Sequence, residues 1–167
     1  AVSMRQIAAE VGVQAGALYT YTPDKQTLLF SLMHDHMTEL LAEWGQFVFE
    51  TDPLARLMGF VRCHLDYHLP RREAVFISYM ELRNLNEENF ATIENLRKSY
   101  EDRLEEIVQT GMTQGVFLVS DSKIATMAVI GLLKETSTWY RPDGRLSAAQ
   151  LVEIYQKMVL QGLGAHI

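Results

Sequence analysis

The chain has 167 residues, 48% of them hydrophobic and 22% charged, which suits one or two compact units and excludes a disordered chain. Its longest clean apolar run, "IATMAVIGLL" at 124–133, is far short of the roughly 18 residues that a membrane span needs, so no membrane partner is expected. A net charge of -6 argues against general coating of nucleic acid or acidic membrane, while a lone cysteine, Cys63, and no signal peptide point to a reducing cytoplasm.

The hydrophobic period is helical throughout and no alternating strand stands out, so the expected fold is all-α. Ser3 and Gln6 have capping-box spacing and open a short helix that Gly12 closes, since glycine takes the left-handed conformation at little cost. A second short helix runs from about Gln14 to Tyr21 into "TPDK". Pro23 belongs in a connection or first turn, so a third helix starts there, capped by Thr22 or Asp24. Leu29, Met33, Leu40, Trp44 and Phe47 form its buried stripe, and the pattern reaches about Phe49.

"TDP" at 51–53 opens a helix over 54–69 that stops at Pro70, and another covers about 72–85. Asn86 caps a long helix, about 87–112, with Phe90, Ile93, Tyr100, Leu104, Ile107 and Gly111 on one face. Arg97 with Glu101, or Lys98 with Asp102, pair on its wet side. Ser120 or Asp121 caps 122–139, and Ser147 and Gln150 repeat the capping-box spacing before a last helix, 147–163. Leu151, Ile154, Tyr155, Met158 and Gly162 are read on one side of it. No linker interrupts the chain, and the boundary between a small N-terminal unit, 1–25, and the remainder, 26–167, falls along the third helix.

The stretch "GVQAGALYTYTPDK" carries the strongest functional signal. A helix–turn–helix needs two short helices, a tight turn that often holds glycine, and a small residue where they touch. Ala8, Gly12, Val13 and Leu18 meet those needs, which leaves Gln14, Ala15, Ala17, Tyr19, Thr20 and Tyr21 on a face that can enter a major groove. A plain helical hairpin in an all-α core is the competing reading, but it gives no reason to turn a glutamine and two tyrosines outward.

The segment "MRQIAAEVGVQAGALYTYTPDKQTLL" resembles the DNA-binding segment of the TetR family of transcriptional regulators, through Ile7-Ala8, Gly12-Val13, Gly16, Leu18-Tyr19, Pro23 and Lys25. The resemblance implies a partial helix–turn–helix unit followed by an α-helical ligand-binding and dimerisation bundle. It also implies that Gln14, Ala15, Ala17, Tyr19, Thr20 and Tyr21 meet double-stranded DNA, with Lys25 and the amides at the start of the long helix on a phosphate. Thr22 stands where the family usually has phenylalanine, and Ala15, Ala17 and Thr20 favour readout by methyl contact, shape and phosphates. The family's first helix is expected ahead of Ala1.

Further implications concern the rest of the chain. The two final helices are expected to pair across a homodimer axis through Ala128, Gly131, Leu132, Leu151, Tyr155, Met158 and Gly162. A dimer also follows because one short helix reads too few bases, whereas two read a pseudo-palindrome. "TWYRPDGRLS" looks like the loop of those TetR regulators that sense acyl-CoA thioesters or hydrophobic catabolites. A small-molecule effector cavity is expected from Phe60, His64, Tyr67, Phe76, Tyr79, Met80, Tyr100 and Met127, with Arg83 as cationic anchor and Arg71 and Arg72 behind it. These residues equally suit a plain core.

His64 and His68 stand at i,i+4, as two metal ligands can, but no third ligand is apparent, and His34 and His36 diverge on a helix. Neither G-x-S-x-G nor a phosphate-binding glycine loop occurs, so no cofactor, no metal and no enzyme are expected. The reading is a ligand-responsive repressor in which effector binding tilts helix 54–69 against helix 24–49; the alternative is a helical binding or scaffold module without DNA recognition.

Overall fold

The computed structural model describes residues 3–47 and 51–165, and among these eight α-helices and no strand carry the chain. They are α1 (Met4–Glu10), α2 (Ala15–Tyr21), α3 (Lys25–Gly45), α4 (Pro53–His68), α5 (Arg72–Met80), α6 (Glu87–Thr113), α7 (Ser122–Trp139) and α8 (Ala148–Gly162). The expected last turn of the third helix, around Phe49, lies outside the described residues.

Each start has a local cause. Ser3 Oγ accepts from the Gln6 amide at 3.3 Å while Gln6 Oε1 accepts from the Ser3 amide at 2.8 Å, and Ser147 with Gln150 does the same at 3.3 and 2.9 Å. Asp24, Asp52, Asn86 and Asp121 cap α3, α4, α6 and α7 through side-chain oxygens, with Pro53 in the first turn of α4. Gly12 ends α1 at φ +73°, and the Val13 amide returns to the Ala8 carbonyl at 2.9 Å.

Helix α5 is shorter than the pattern predicts. It stops at Met80, and 82–84 form a 3₁₀ turn. That turn brings Leu85 inward beside Leu29, Met33 and Ile93, a small cluster tying the first half of α3 to α6. The main core surrounds α4, whose Leu57, Phe60, Val61 and Leu65 are fully buried against Leu104 and Ile107 of α6, Leu133 of α7 and Leu151 of α8. Each such side chain contributes about 1.5–3 kcal/mol of apolar burial.

Three expected facings change. Leu151 and Tyr155 are buried in this core, away from Ile154 and Met158, which are exposed. The four share one broad helix face, but the buried arc is rotated toward Val152, Val159 and Leu163, so 151 and 155 fall inside it and 154 and 158 past its edge. Phe90 is exposed, at the edge of the face on which Ile93, Tyr100 and Leu104 are buried. Arg97 lies on the inner side of α6, paired with Glu94 at 3.8 Å, whereas Lys98 and Asp102 do pair on the wet side at 2.7 Å.

After α6 the chain doubles back, with the amides of Val116 and Phe117 on the Gly111 carbonyl and the Phe117 ring laid on Gly111 itself. A Cβ at Gly111 would stand 2.1 Å from Phe117 Cδ2, so the ring must move if any side chain is added. Gly111→Ala is therefore expected to destabilise the fold by about 1–3 kcal/mol in denaturant melts. Gly45→Ala, where nothing lies within 4 Å, should change it by less than about 0.5 kcal/mol; equal midpoints for the two variants would remove the steric account.

Candidate functional site

Two regions carry functional chemistry. The first is the helix pair α1–α2. Ala8 is buried at the crossing and Leu18 half-buried, while Gln14, Ala17, Tyr19, Thr20 and Tyr21 are exposed and Ala15 is half-buried. Gln14 is the N-cap of α2 but makes no side-chain cap bond, so its amide is available to a partner. The Thr20 hydroxyl donates to the Gly16 carbonyl at 3.2 Å, which leaves its oxygen and methyl to meet a surface. Tyr21 is 89% exposed. Thr22 is buried and its hydroxyl donates to the Asp24 carbonyl at 3.1 Å, a polar tie where an aromatic ring would pack.

Lys25 is exposed as the first residue of α3. The Thr27 amide beside it already donates to the Asp24 carboxylate at 2.8 Å, so a phosphate here meets Lys25 and the remaining amides only. Gln26 joins this turn to the bundle: its side chain donates to the Asn84 carbonyl and accepts from the Asn86 amide at 3.1 Å.

The second region is a cavity of about 240 Å³ lined by residues of α3, α4, α5, α6 and α7. His64, Tyr79, Tyr100 and Met127 line it as expected from the sequence. His36, His68, Ser78, Arg97 and Lys134 join them without having been singled out for it. Beyond Tyr79 and Lys134 an open groove of about 780 Å³ continues between α5 and α7, lined by Arg72, Phe76, Met80 and Glu135 among others. The remaining expected residues stand elsewhere. Phe60 is buried in the main core between Trp44 and Tyr100. Tyr67 turns to α3, its hydroxyl 3.0 Å from both the His36 carbonyl and a Glu39 carboxylate oxygen. Phe76 and Met80 face the groove. Arg83 lies in the exposed 3₁₀ turn, outside the cavity, because α5 ends before it. Arg71 stacks over Tyr67 at 4.1 Å, and Arg72 donates to the Ser137 carbonyl at 3.0 Å.

The missed residues had a signal in the sequence. His36 continues the buried stripe of Met33 and Leu40, and Arg97 lies between Ile93 and Tyr100 on the inner stripe of α6. A polar group at a core period marks a site.

Three histidines meet at the inner wall. The His64 and His68 rings stack at 4.0 Å and His36 meets His68 edge-on at 5.2 Å. His68 Nδ1 donates to the His64 carbonyl at 2.7 Å, and His64 Nδ1 stands 3.2 Å from the Tyr100 hydroxyl. Burial pushes all three down: His36 to about 4, with Arg71 adding to it; His68 to about 3, with His36 adding to it; His64 well below its ordinary value. Burial likewise raises Tyr100, and lifts the Cys63 thiol to about 12, where it is an inert core group. No group of three or more His, Cys, Asp or Glu among the described residues is placed to hold a metal. No helix among them is long and apolar enough to cross a membrane.

Comparison with known proteins covers both regions. A family model described as "Bacterial regulatory proteins, tetR family" matches residues 1–32, and one described as "Tetracyclin repressor-like, C-terminal domain" matches 50–163. The chain belongs to the TetR family. It is a DNA-binding transcription regulator of that family, whose members bind operator DNA, dimerise and take small-molecule effectors. The repressor KstR2 of Mycolicibacterium smegmatis is 26% identical over 169 residues, 98% of this chain and 81% of that one. A TetR-family regulatory protein from Rhodococcus RHA1 superposes with a TM-score of 0.91 at 26% identity, covering 100% of this chain and 88% of that one. AibR, solved with isovaleryl coenzyme A and operator DNA, superposes with a TM-score of 0.83 at 26% identity over 99% of this chain and 89% of that one.

The three histidines set a pH dependence for this TetR-family bundle. In the unfolded chain they titrate near 6.5, while in the fold His36 and His68 stay neutral down to about 4 and about 3. Their contribution is complete above the unfolded value and is lost as pH falls below it, at about 1.4 kcal/mol per pH unit for each. Between about pH 7 and pH 5 the two should lower the unfolding free energy by about 2 kcal/mol each. Denaturant melts check this, with His36→Phe flattening the profile; a stability independent of pH over that interval would show that the rings accept protons in place.

Proposed function

We propose that this TetR-family chain is a homodimeric repressor that an acyl-coenzyme A thioester, or a similarly shaped and largely apolar effector, releases from a pseudo-palindromic operator. The observation that carries the reading is the continuity of the inter-helix cavity with a larger groove through Tyr79 and Lys134. An acyl group fills the cavity and a longer polar portion runs along the groove. Lys134 Nζ rests 4.7 Å from the Tyr79 ring and makes no ion pair among the described residues, so it is free to meet phosphate at the junction. Glu73 and Glu135 share the groove with Arg72, so phosphates are met at separate points rather than along a uniformly basic face. AibR, which shares the fold, is solved with isovaleryl coenzyme A, and this supports an acyl-coenzyme A thioester as the effector class.

On the DNA side, Gln14, Ala15, Ala17, Tyr19, Thr20 and Tyr21 read the major groove and Lys25 holds a phosphate. The dimer forms through α7 and α8, where Ala128, Met158 and Gly162 are exposed, Leu132 is half-buried, Ile124 and Ile154 add apolar area, and Gly131, also exposed, stands at the edge where α7 lines the cavity. Leu151 and Tyr155 support that seam from inside. Acting on chromosomal DNA places the protein in the cytoplasm.

Release works through α3. The effector favours one spacing of α3 and α4, which Tyr67 ties together, and the tilt of α3 carries the two recognition helices out of register. A coupling of about 1–3 kcal/mol between effector and DNA gives a 5- to 150-fold response.

Binding to an operator recovered by genomic pull-down should be steeply salt-dependent, and Lys25→Ala should lower the slope of log K against log salt by about 1 for each half-site. A salt-independent interaction would point instead to a scaffold module. In fluorescence-anisotropy titrations, isovaleryl or longer acyl-coenzyme A should weaken operator binding at least about fivefold, and Gln26→Ala should leave the ligand-free affinity within about threefold while blunting that response. Unchanged operator affinity across the thioester series would count against this effector class.

A further inference from the structure

The cavity is lined by residues with polar atoms left without partners. His36 Nδ1, His64 Nε2 and Ser78 Oγ are buried and none has a hydrogen-bond partner among the described residues. Their residues are 5%, 2% and 2% exposed, and all three line the same cavity. They come from α3, α4 and α5, so they surround the space rather than sharing one face.

From these three unpartnered atoms we infer that the cavity selects an effector whose enclosed portion carries an uncharged oxygen, a ketone or an alcohol, on a compact skeleton, over the matching hydrocarbon. The inference rests on the effector reading above and specifies the chemistry of the enclosed end. His68 is held by its Nδ1 bond to the His64 carbonyl, and its ring stacks on His64, which fixes the plane of that imidazole. The Tyr100 hydroxyl at 3.2 Å from His64 Nδ1 engages that nitrogen, which leaves Nε2 as the ring's only polar atom for a ligand. With Tyr100 donating, Nε2 presents an N–H to an acceptor. Ser78 Oγ both donates and accepts, and its backbone carbonyl is already taken by Arg97, so the hydroxyl alone faces the ligand. Water can occupy such a site in the empty protein. A ligand oxygen replaces that water bond for bond, whereas an alkyl group displaces it and leaves buried polar atoms unmatched. Arg97, Glu101 and Lys134 also line the cavity, while the three unpartnered atoms belong to an imidazole pair and a hydroxyl that match an uncharged oxygen without burying an ion.

The test uses calorimetric titration of the full chain with four probes: the coenzyme A thioesters of cyclohexanecarboxylic and 4-oxocyclohexanecarboxylic acid, and the methyl esters of the same two acids. The oxo thioester should bind at least about tenfold tighter than its hydrocarbon match. Ser78→Ala, a small change that keeps the backbone carbonyl, should bring the pair to within about threefold, and His36→Phe should do the same should the first variant fail to fold. Equal affinities for the two thioesters in the unaltered protein would overturn the inference and leave the thioester reading standing. Discrimination between the methyl esters, with neither thioester binding, would uphold the inference and remove the coenzyme A reading. No binding by any of the four would overturn both.

Discussion

Helix α4 is buried on nearly every side, and that single constraint organises the molecule. Its residues 57, 60, 61, 63, 64, 65, 67 and 68 are all out of water, a distribution that no amphipathic surface helix has. A helix so placed leaves its polar residues no route to solvent. His64 and His68, one turn apart, must therefore find partners inside the bundle, and they do so by stacking, by one bond to a backbone carbonyl and by the Tyr100 hydroxyl. What cannot be satisfied this way is turned toward a space between helices. The cavity thus sits where the core cannot close around polar groups, and the same residues that limit packing define what can fill it.

The second half of the architecture is the lever that α3 provides. Twenty-one residues of α-helix span about 30 Å. Its first turn carries Lys25 and Gln26 beside the recognition helix, its middle supplies His36, Met37 and Leu40 to the cavity, and Trp44 anchors its end in the main core. Because Gln26 is bonded to the connection between α5 and α6, the start of α3 follows those helices as well. Both walls of the cavity are thereby attached to the DNA-reading end by continuous helix and by one side-chain bridge. In the proposed release, a small change in cavity width becomes a larger displacement at the tip and so alters the spacing of two recognition helices in a dimer.

The reading head is lightly held by comparison. Helix α2 has no buried residue, and its neighbour Thr22 contributes a hydroxyl bond rather than a packed ring. The bundle, in contrast, is densely locked, with Phe117 pressed on Gly111 and a capping box opening its last helix. The division of labour is physical: the rigid part fixes ligand geometry, and the mobile output is carried where few contacts resist movement.

Local chemistry made much of this legible in the sequence. Ser3 with Gln6, Asp121, Asn86 and Ser147 with Gln150 are caps because their side chains satisfy amides three residues away, a relation that needs no tertiary information. Gly12 and the apolar stripe of α3 were readable for the same reason, and so was the exposed face of α2. Period alone tells which residues leave water and not what they meet. That is why Phe60 joined the core rather than the cavity, why Arg97 faced inward against its surface-pair spacing, and why Leu151 and Tyr155 separated from Ile154 and Met158. The sequence by itself determined the helices, their capped starts and the identity of the reading head, since these depend on neighbours within a few residues, whereas the early stop of α5 at Met80 did not show in its pattern. Only the tertiary structure decided that His36, His64 and Ser78 share one space with no partner, because they lie on three helices whose mutual rotation is set by packing across the whole bundle.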